Sequence, residues 1–370
     1  MNIISYIIRI LVSITFIFSG FVKLVDPLGS AYKFDEYFGA DVLNIEFLSP
    51  YSLQFSVVLI LIEIMLGVML LIGYKRKFTV WSLLGITLVF LFLTWYSAYY
   101  DKVTDCGCFG DAITLTPWET FYKNIILIVL IVYLILRVYD IQPILSETFV
   151  KRVSIAALLV FVLIIFHVLR HLPIIDFRAY AIGKNIPEGM IIPEGAPKTI
   201  FEDTWIYNVD GVDKSFTTEE KPWNIEGATF VDRKTITLEE GYEPPIHDFT
   251  MERNGEDLTE QLMEEERLML IVSYNIQKAS PKGLKNIKEI SDEALQNGYN
   301  VFYFSASTEE EYLKIKQEYN LQFDLLFCDE TTLKTIIRSN PGIITLNKGT
   351  VTGKWGWVDA DDVELLESDN

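Results

Sequence analysis

Long apolar blocks separated by short polar breaks fill the N-terminal part of the chain. Residues 3–24, 55–73, 80–99, 125–139 and 154–168 are dominated by Ile, Leu, Val and Phe. A helix that crosses a membrane needs about 20 such residues, or roughly 17 at the least, and with their aromatic flanks all of these runs meet that length. The first run is too long for the apolar centre of a signal peptide, about 7–15 residues, and no small-residue cleavage site follows it. It is expected to remain in the mature protein.

Beyond Pro173 the pattern changes period. Residues 268–274 form a short β-rich apolar run, 281–296 has the spacing of an amphipathic helix, 300–304 reads as strand, 309–319 as helix and 323–328 as strand. A short helix over 331–339 follows, then a hairpin from 343–346 to 353–358 around Asn347-Lys348-Gly349. Strands that alternate with helices and end in a hairpin predict a mixed α/β sheet. The stretch 176–242 is interrupted by Pro and Gly and carries strand-like runs at 204–208 and 228–231, with a turn at Asn208-Val209-Asp210-Gly211. It reads as a β-rich extension or an ordered linker. The expected architecture is multi-domain: an α-helical membrane bundle of four spans over 1–145, a fifth transmembrane helix within 146–175, the extension over 176–242, and a soluble α/β domain over 243–370.

Charge orients this arrangement. Basic residues in short loops stay on the cytoplasmic face, whereas Asp and Glu count for little. Lys75-Arg76-Lys77 follows the second block, and Arg137 with Lys151-Arg152 separates the fourth from the fifth. With both gaps inside, the N-terminus is cytoplasmic and the soluble domain faces the periplasmic side of an inner membrane, as do 25–53 and the loop after the third block. The formal net charge of −19, from 31 Lys and Arg against 50 Asp and Glu, falls mainly beyond Pro173. Such a surface cannot neutralise phosphates, which excludes nucleic acid. The lipid bilayer and a periplasmic or membrane protein are the expected partners.

The polar breaks hold the candidate chemistry. Cys106-Gly107-Cys108-Phe109-Gly110 occupies the loop after the third block. A single Gly between two thiols lets the chain close a small, strained disulfide, oxidising rather than structural, on a face where disulfides persist. A structural staple or an interchain bond are the alternatives, and a thiophilic metal would need further ligands that the loop lacks. Glu63 lies about ten residues from the inner end of its block, roughly 15 Å deep, where a carboxylate needs a proton or a partner. Arg9 is the expected partner, across an axial gap of roughly 7 Å, with Lys23 the lesser candidate because it lies nearer the outer surface. Glu63 then reads either as a proton-relay or quinone-contact group or as a polar tie between helices. His167 and His171 share a helix face without a third ligand nearby and read as interfacial polar groups beside Arg170. Cys328 reads as a buried thiol.

Longer phrases carry a resemblance. Phe18-Ser19-Gly20-Phe21-Val22-Lys23-Leu24-Val25-Asp26-Pro27 and Ile62-Glu63-Ile64-Met65-Leu66-Gly67 resemble the DoxX-like superfamily of small four-span membrane proteins. The Cys-Gly-Cys-Phe-Gly loop resembles its methylamine-utilisation MauE branch, and the likeness covers roughly 1–138. It implies a four-helix membrane core with redox-associated members, some tied to disulfide formation or quinone-linked respiration. Residues 244–367 are similar in element order to the thioredoxin-like fold of the TlpA and peroxiredoxin groups. Pro245-Ile246-His247-Asp248-Phe249 resembles its entry segment, and Asn340-Pro341 before Gly342-Ile343-Ile344 resembles its cis-proline strand. That family carries Cys-x-x-Cys after its first central strand, where this chain has Ser273-Tyr274-Asn275-Ile276-Gln277-Lys278-Ala279-Ser280. Without a thiolate this domain cannot exchange disulfides. The resemblance leaves it recognition, with the backbone at Asn340 and Pro341 holding extended peptide.

The favoured function is a redox-associated membrane protein. Its Cys106/Cys108 pair exchanges electrons or disulfides with a partner or a quinone, the one cofactor the resemblance suggests, while the tail binds the partner. The alternative is a non-enzymatic assembly or scaffold protein with a peptide-binding tail.

Overall fold

The computed structural model describes residues 3–100, 102–103, 107–239 and 241–366. The first apolar block is helix α1 (Ile3–Val25). It is followed by a helix that hydropathy does not announce, α2 (Pro27–Phe38), within the loop between the first two apolar blocks. Its local cause is plain: the Asp26 carboxylate accepts from the Gly29 N–H and Pro27 takes the first helical position, where its missing N–H costs nothing. The remaining blocks are α3 (Ser52–Ile72), α4 (Arg76–Tyr100), α5 (Pro117–Leu136) and α6 (Glu147–Arg170). The five long helices are long and apolar enough to cross a membrane, and the chain is a multi-pass membrane protein.

Small residues set how these helices meet. A Cβ added to Gly20 of α1 would lie 2.9 Å from the Ile64 backbone, and one added to Gly67 of α3 would lie 2.9 Å from the Ile17 nitrogen. Backbones this close are the membrane mode of association, since lipid supplies no hydrophobic drive between apolar helices. Val12, Phe16, Leu66, Leu70, Leu83, Leu127 and Ile131 fill the bundle core. Ile7, Leu11 and Ile14 on α1, with Leu159, Leu163 and Phe166 on α6, are exposed on the side expected to meet lipid.

A strap joins the bundle to the rest. Residues 171–185 lead into α7 (Ile186–Met190), and Tyr180 and Ile186 of this stretch lie in the core of the α/β domain. Strands β1 (Ile200–Val209), β2 (Val212–Thr217) and β3 (Thr229–Glu239) form a separate antiparallel sheet in the order β2-β1-β3. This is the β-rich extension, with its turn at Asp210 and Gly211 as expected.

The α/β domain comprises β4 (Glu252–Arg253), β5 (Glu256–Asp257), α8 (Thr259–Met263), β6 (Leu268–Ser273), α9 (Pro281–Gln296), β7 (Asn300–Ser305), α10 (Glu309–Tyr319), β8 (Asp324–Phe327), α11 (Glu330–Ile336), β9 (Gly342–Asn347) and β10 (Thr350–Gly356). The sheet order is β10-β9-β6-β7-β8-β4-β5, with β6, β7 and β8 parallel and β9 and β10 antiparallel. Both faces of β6 are covered, so it reads as a continuous apolar run. Leu268, Leu270 and Val272 point to one core with Phe249, Phe304 and Leu346. Met269 and Ile271 point to the other with Ile287, Tyr303 and Tyr312. The β9–β10 turn places Lys348 and Gly349 at φ 46° and 73°, the two positive values that a tight hairpin requires.

Candidate functional site

The C-terminal end of α1 gathers a cluster of buried polar groups. Lys23 Nζ lies 3.1 Å from Glu63 Oε2, and the two side chains are 5% and 3% exposed. The same ammonium donates to the Ser19 hydroxyl at 2.8 Å and to the Cys108 carbonyl at 2.5 Å, and Ser19 Oγ donates to that carbonyl at 2.6 Å. The cation therefore has a carboxylate on one side and the cysteine loop on the other. Burying two charges is tolerable only when their remaining hydrogen-bonding capacity is used, as it is for Lys23 here. Gly107 and Gly110 adopt φ of 62° and 51°, which lets the loop fold down onto α1. Phe109 packs its ring 5.5 Å from that of Phe18, beneath Lys123 Nζ at 4.3 Å. Cys108 is buried. Cys106 lies outside the described residues.

Arg9 is not the partner of Glu63. Its guanidinium donates to the carbonyls of Leu70, Leu71 and Gln142 at 2.8, 2.7 and 3.0 Å. The glycine contacts explain the correction. Position 20 stands level with 64 and 17 with 67, so Glu63 is level with position 21 and Arg9 lies roughly 18 Å further down the axis at 1.5 Å per residue. The two helices do not begin at one depth, and Arg9 sits at the C-terminal end of α3, where it donates to carbonyls of the last turn.

The α/β domain stands over this loop. Arg338 Nε donates to both carboxylate oxygens of Asp26 at 3.1 and 2.8 Å, and its Nη2 is 3.7 Å from Asp111 of the cysteine loop. The side chain is 6% exposed and lies 5.2 Å from the centre of the Tyr32 ring. Burial opposes its charge, but Asp26 and Asp111 outweigh that and hold the guanidinium above its ordinary pKa. Lys334 lies over the rings of Tyr32 and Tyr274. Burial, followed by Tyr274, pushes the Tyr32 phenol pKa up. Further along the same junction, His171 Nδ1 is 2.6 Å from Asp359 Oδ1, and the His167 and His171 rings stack at 4.7 Å. His171 thus ties α6 to the tail.

Between the two parts lies a cavity of about 690 Å³ whose lining includes Lys23, Gly107, Gly110 and Asp111 on the bundle side and Lys334 and Arg338 on the tail side. Two much smaller cavities, about 20 and 50 Å³, flank Cys108 within the bundle; Glu63 lines the first and Lys23 the second. Sequence reasoning found Lys23, Glu63 and the loop but not Asp26, Tyr32 or Arg338, which lie far apart in sequence.

The remaining residues of interest lie in the tail. The Asn340–Pro341 peptide is cis. The Asn340 carbonyl accepts from the Ser280 N–H, and its side chain bonds Ser273 Oγ at 2.6 Å and the Asn275 carbonyl at 2.9 Å. This segment is satisfied from within the domain. Cys328 is fully buried, and burial pushes its thiol up to about 12, which leaves it a thiol rather than a nucleophilic thiolate. Among the described residues, no cluster of His, Cys, Asp and Glu could hold a metal ion.

A family model matches within the bundle. Residues 1–137 match the family model described as "Methylamine utilisation protein MauE". The chain is similar to "Protein TlpB" of Flavobacterium psychrophilum, 33% identical over 144 residues, covering 35% of this chain and 35% of that protein. It thus spans about a third of the length of that curated relative. No solved structure matches.

Proposed function

We propose that this MauE-type membrane protein is a redox component in which Cys106 and Cys108 exchange disulfides with a thiol substrate on the outer face of an inner membrane. The observation that carries the proposal is the anchoring of the cysteine loop: the Cys108 carbonyl is held by Lys23 and Ser19, and the same loop lines the large cavity. A reactive loop needs such support to present its sulfur in one geometry. The half-reaction is balanced as follows. A substrate thiolate attacks one sulfur of the oxidised pair, the S–S bond breaks, and the departing sulfur takes a proton. The second substrate thiol then loses its proton and displaces the first sulfur, so that two electrons and two protons pass to the pair and the substrate leaves as a disulfide.

Among the described residues, the two small cavities beside Cys108 are too small for a quinone. The membrane-side cavities of about 20 and 50 Å³ hold a few waters at most, whereas pockets for ring-sized ligands run to roughly 300–1,000 Å³. In this reading the tail is a thioredoxin-like domain that has lost its thiols and acts through contact alone, with the N-terminus of the chain cytoplasmic and the tail periplasmic.

The test is the thiol state of the full chain in detergent. Oxidised protein treated with dithiothreitol and then with a maleimide of high mass is expected to gain two adducts over the untreated protein, whereas Cys106→Ser and Cys108→Ser should each gain none. A chain whose Cys106 and Cys108 never change state with added dithiol is not a disulfide exchanger, and the scaffold alternative would then stand.

A further inference from the structure

We infer that Glu63 is a proton-binding site of the bundle, reached by water from the side on which the tail sits. The site takes no part in the thiol chemistry proposed above and stands or falls without it.

The carboxylate has hydrogen-bonding capacity that the protein does not fill. Lys23 Nζ donates to Glu63 Oε1 at 3.4 Å and to Oε2 at 3.1 Å, and among the described residues Glu63 has no other donor. An ionised carboxylate offers about four acceptor sites, so part of that capacity is left over on a side chain that bulk solvent does not reach. The cavity of about 20 Å³ lies beside it, walled also by Thr87 of α4 and Asn124 of α5. A buried water needs about 10–15 Å³ and two to four polar partners, and this cavity supplies both.

That cavity is the last of three with common walls. The cavity of about 690 Å³ under the tail shares Lys23, Ser30, Lys33 and Gly107 with the one of about 50 Å³, which in turn shares Phe90 and Cys108 with the one at Glu63. Tyr37 and Thr94 add hydroxyls to the wall of the middle cavity. Neighbouring cavities are therefore parted by single side chains, a barrier that rotamer changes open without any movement of helices.

Both protonation states are supported. With Glu63 ionised, Lys23 balances its charge. With Glu63 protonated, Lys23 still donates to Ser19 Oγ at 2.8 Å and to the Cys108 carbonyl at 2.5 Å, so the cation keeps hydrogen bonds of its own. The proton is taken from water onto a carboxylate oxygen and returns to water along the same cavities. The other ionisable groups on the walls of the two small cavities are Lys33 of α2, 2.9 Å from Glu36, Lys123 of α5, above the Phe109 ring, and the Cys108 thiol. The rival role, a polar tie between helices, is already filled: Gly20 and Gly67 bring α1 and α3 to backbone contact, which needs no charged pair to hold it.

The test is infrared spectroscopy of the full chain in detergent as pH is lowered from about 8 to about 4, across the ordinary glutamate value. A protonated carboxyl in a dry site absorbs above the surface carboxyls, and subtracting the spectrum of Glu63→Gln isolates it. The wild type is expected to show one such band, which disappears when the pH is restored and shifts promptly in heavy water. Glu63→Asp should keep a band of this kind, which identifies the site even if Glu63→Gln folds poorly. Ser30 is half-buried on the wall common to the two larger cavities. Ser30→Leu should keep the band and slow its shift in heavy water about tenfold or more, because exchange then waits on local opening. Absence of any band that depends on Glu63 over this range, or a band that heavy water does not move, would overturn the inference. An unchanged exchange rate in Ser30→Leu would overturn the path from the tail side.

Discussion

Placing Lys23 against Glu63 inside the bundle makes each side chain costly without the other. Removing one partner of a buried pair costs about 3–5 kcal/mol, much of it the penalty on the charge left behind. Lys23→Met should therefore lower the thermal stability of the detergent-solubilised chain, and Lys23→Met with Glu63→Gln should recover part of the loss. Arg9→Ala combined with Glu63→Gln should instead be additive within about 0.5 kcal/mol, since the two stand roughly 18 Å apart along the axis. A double-mutant cycle that couples Arg9 rather than Lys23 to Glu63 would contradict the observed pairing. That Glu63 needed a partner was legible in the sequence, because an apolar block makes a lone carboxylate expensive. Which cation answered it was not, because the relative depth of two helices is set by Gly20 and Gly67 contacts rather than by where each block begins. A second residue carries a pH signature. Burial, then Arg178, pushes the Lys354 ammonium down from 10.5 to about 7, although Asp176 is 2.7 Å away. Asp176 itself would be raised by burial, but Arg178 and Lys354 together hold its pKa low, so it stays ionised with Arg178 when Lys354 loses its proton. Between about pH 7 and the ordinary lysine range the unfolded chain carries a proton that the folded one lacks, so stability increases with pH in that window. Amide exchange in β9 and β10 should slow as pH rises from about 7 to 10, once corrected for intrinsic rates. The Lys354→Met protein should lack that trend.

At the scale of elements, α1 and α3 are the seam on which the bundle depends. Gly20→Ala would press a methyl group against the Ile64 backbone at 2.9 Å, where no side-chain rotation relieves it, so the helices must part. Gly85 in α4 faces open space within 4 Å, and there alanine gains the roughly 1 kcal/mol of helix propensity that glycine forgoes. The yield of folded protein in detergent should fall for Gly20→Ala and hold or rise for Gly85→Ala; equal behaviour would mean that the α1–α3 approach is looser than it stands. The same elements show what patterning can and cannot convey. Blocks buried or lipid-facing on every side, such as α3 and β6, announce themselves because each residue must be apolar. Amphipathic α9 and α10 were legible from their period, and the loops around Asp210 and Lys348 from their turn residues. Helix α2 escaped because its residues mix Gly, Ser, Tyr and charge, and its cap at Asp26 is a local hydrogen bond that no hydropathy window registers.

For the whole molecule, the basic end and the cysteine end of the bundle are opposite faces. At one end Arg76 donates to the Ile141 carbonyl and the Ile144 N–H reaches the Ile72 carbonyl, joining the α3–α4 and α5–α6 turns. At the other, Asp26 and Asp111 meet Arg338 of the tail. No sequence pattern foretold this last junction, since Asp26, Asp111 and Arg338 are ordinary charged residues until folding brings them together. The basic turns carry an expectation of which end faces which way, because Lys75, Arg76 and Lys77 would be held back from translocation by their charge. In a chain with all native cysteines replaced by serine, a cysteine placed at Lys184 in the strap should react in intact spheroplasts with a membrane-impermeant maleimide. One placed at Lys75 should react only after the membrane is opened. Reversal of that pattern would put the cysteine loop in the reducing cytoplasm, where a disulfide exchanger of this kind would not stay oxidised, and would remove the compartment on which the proposed chemistry depends.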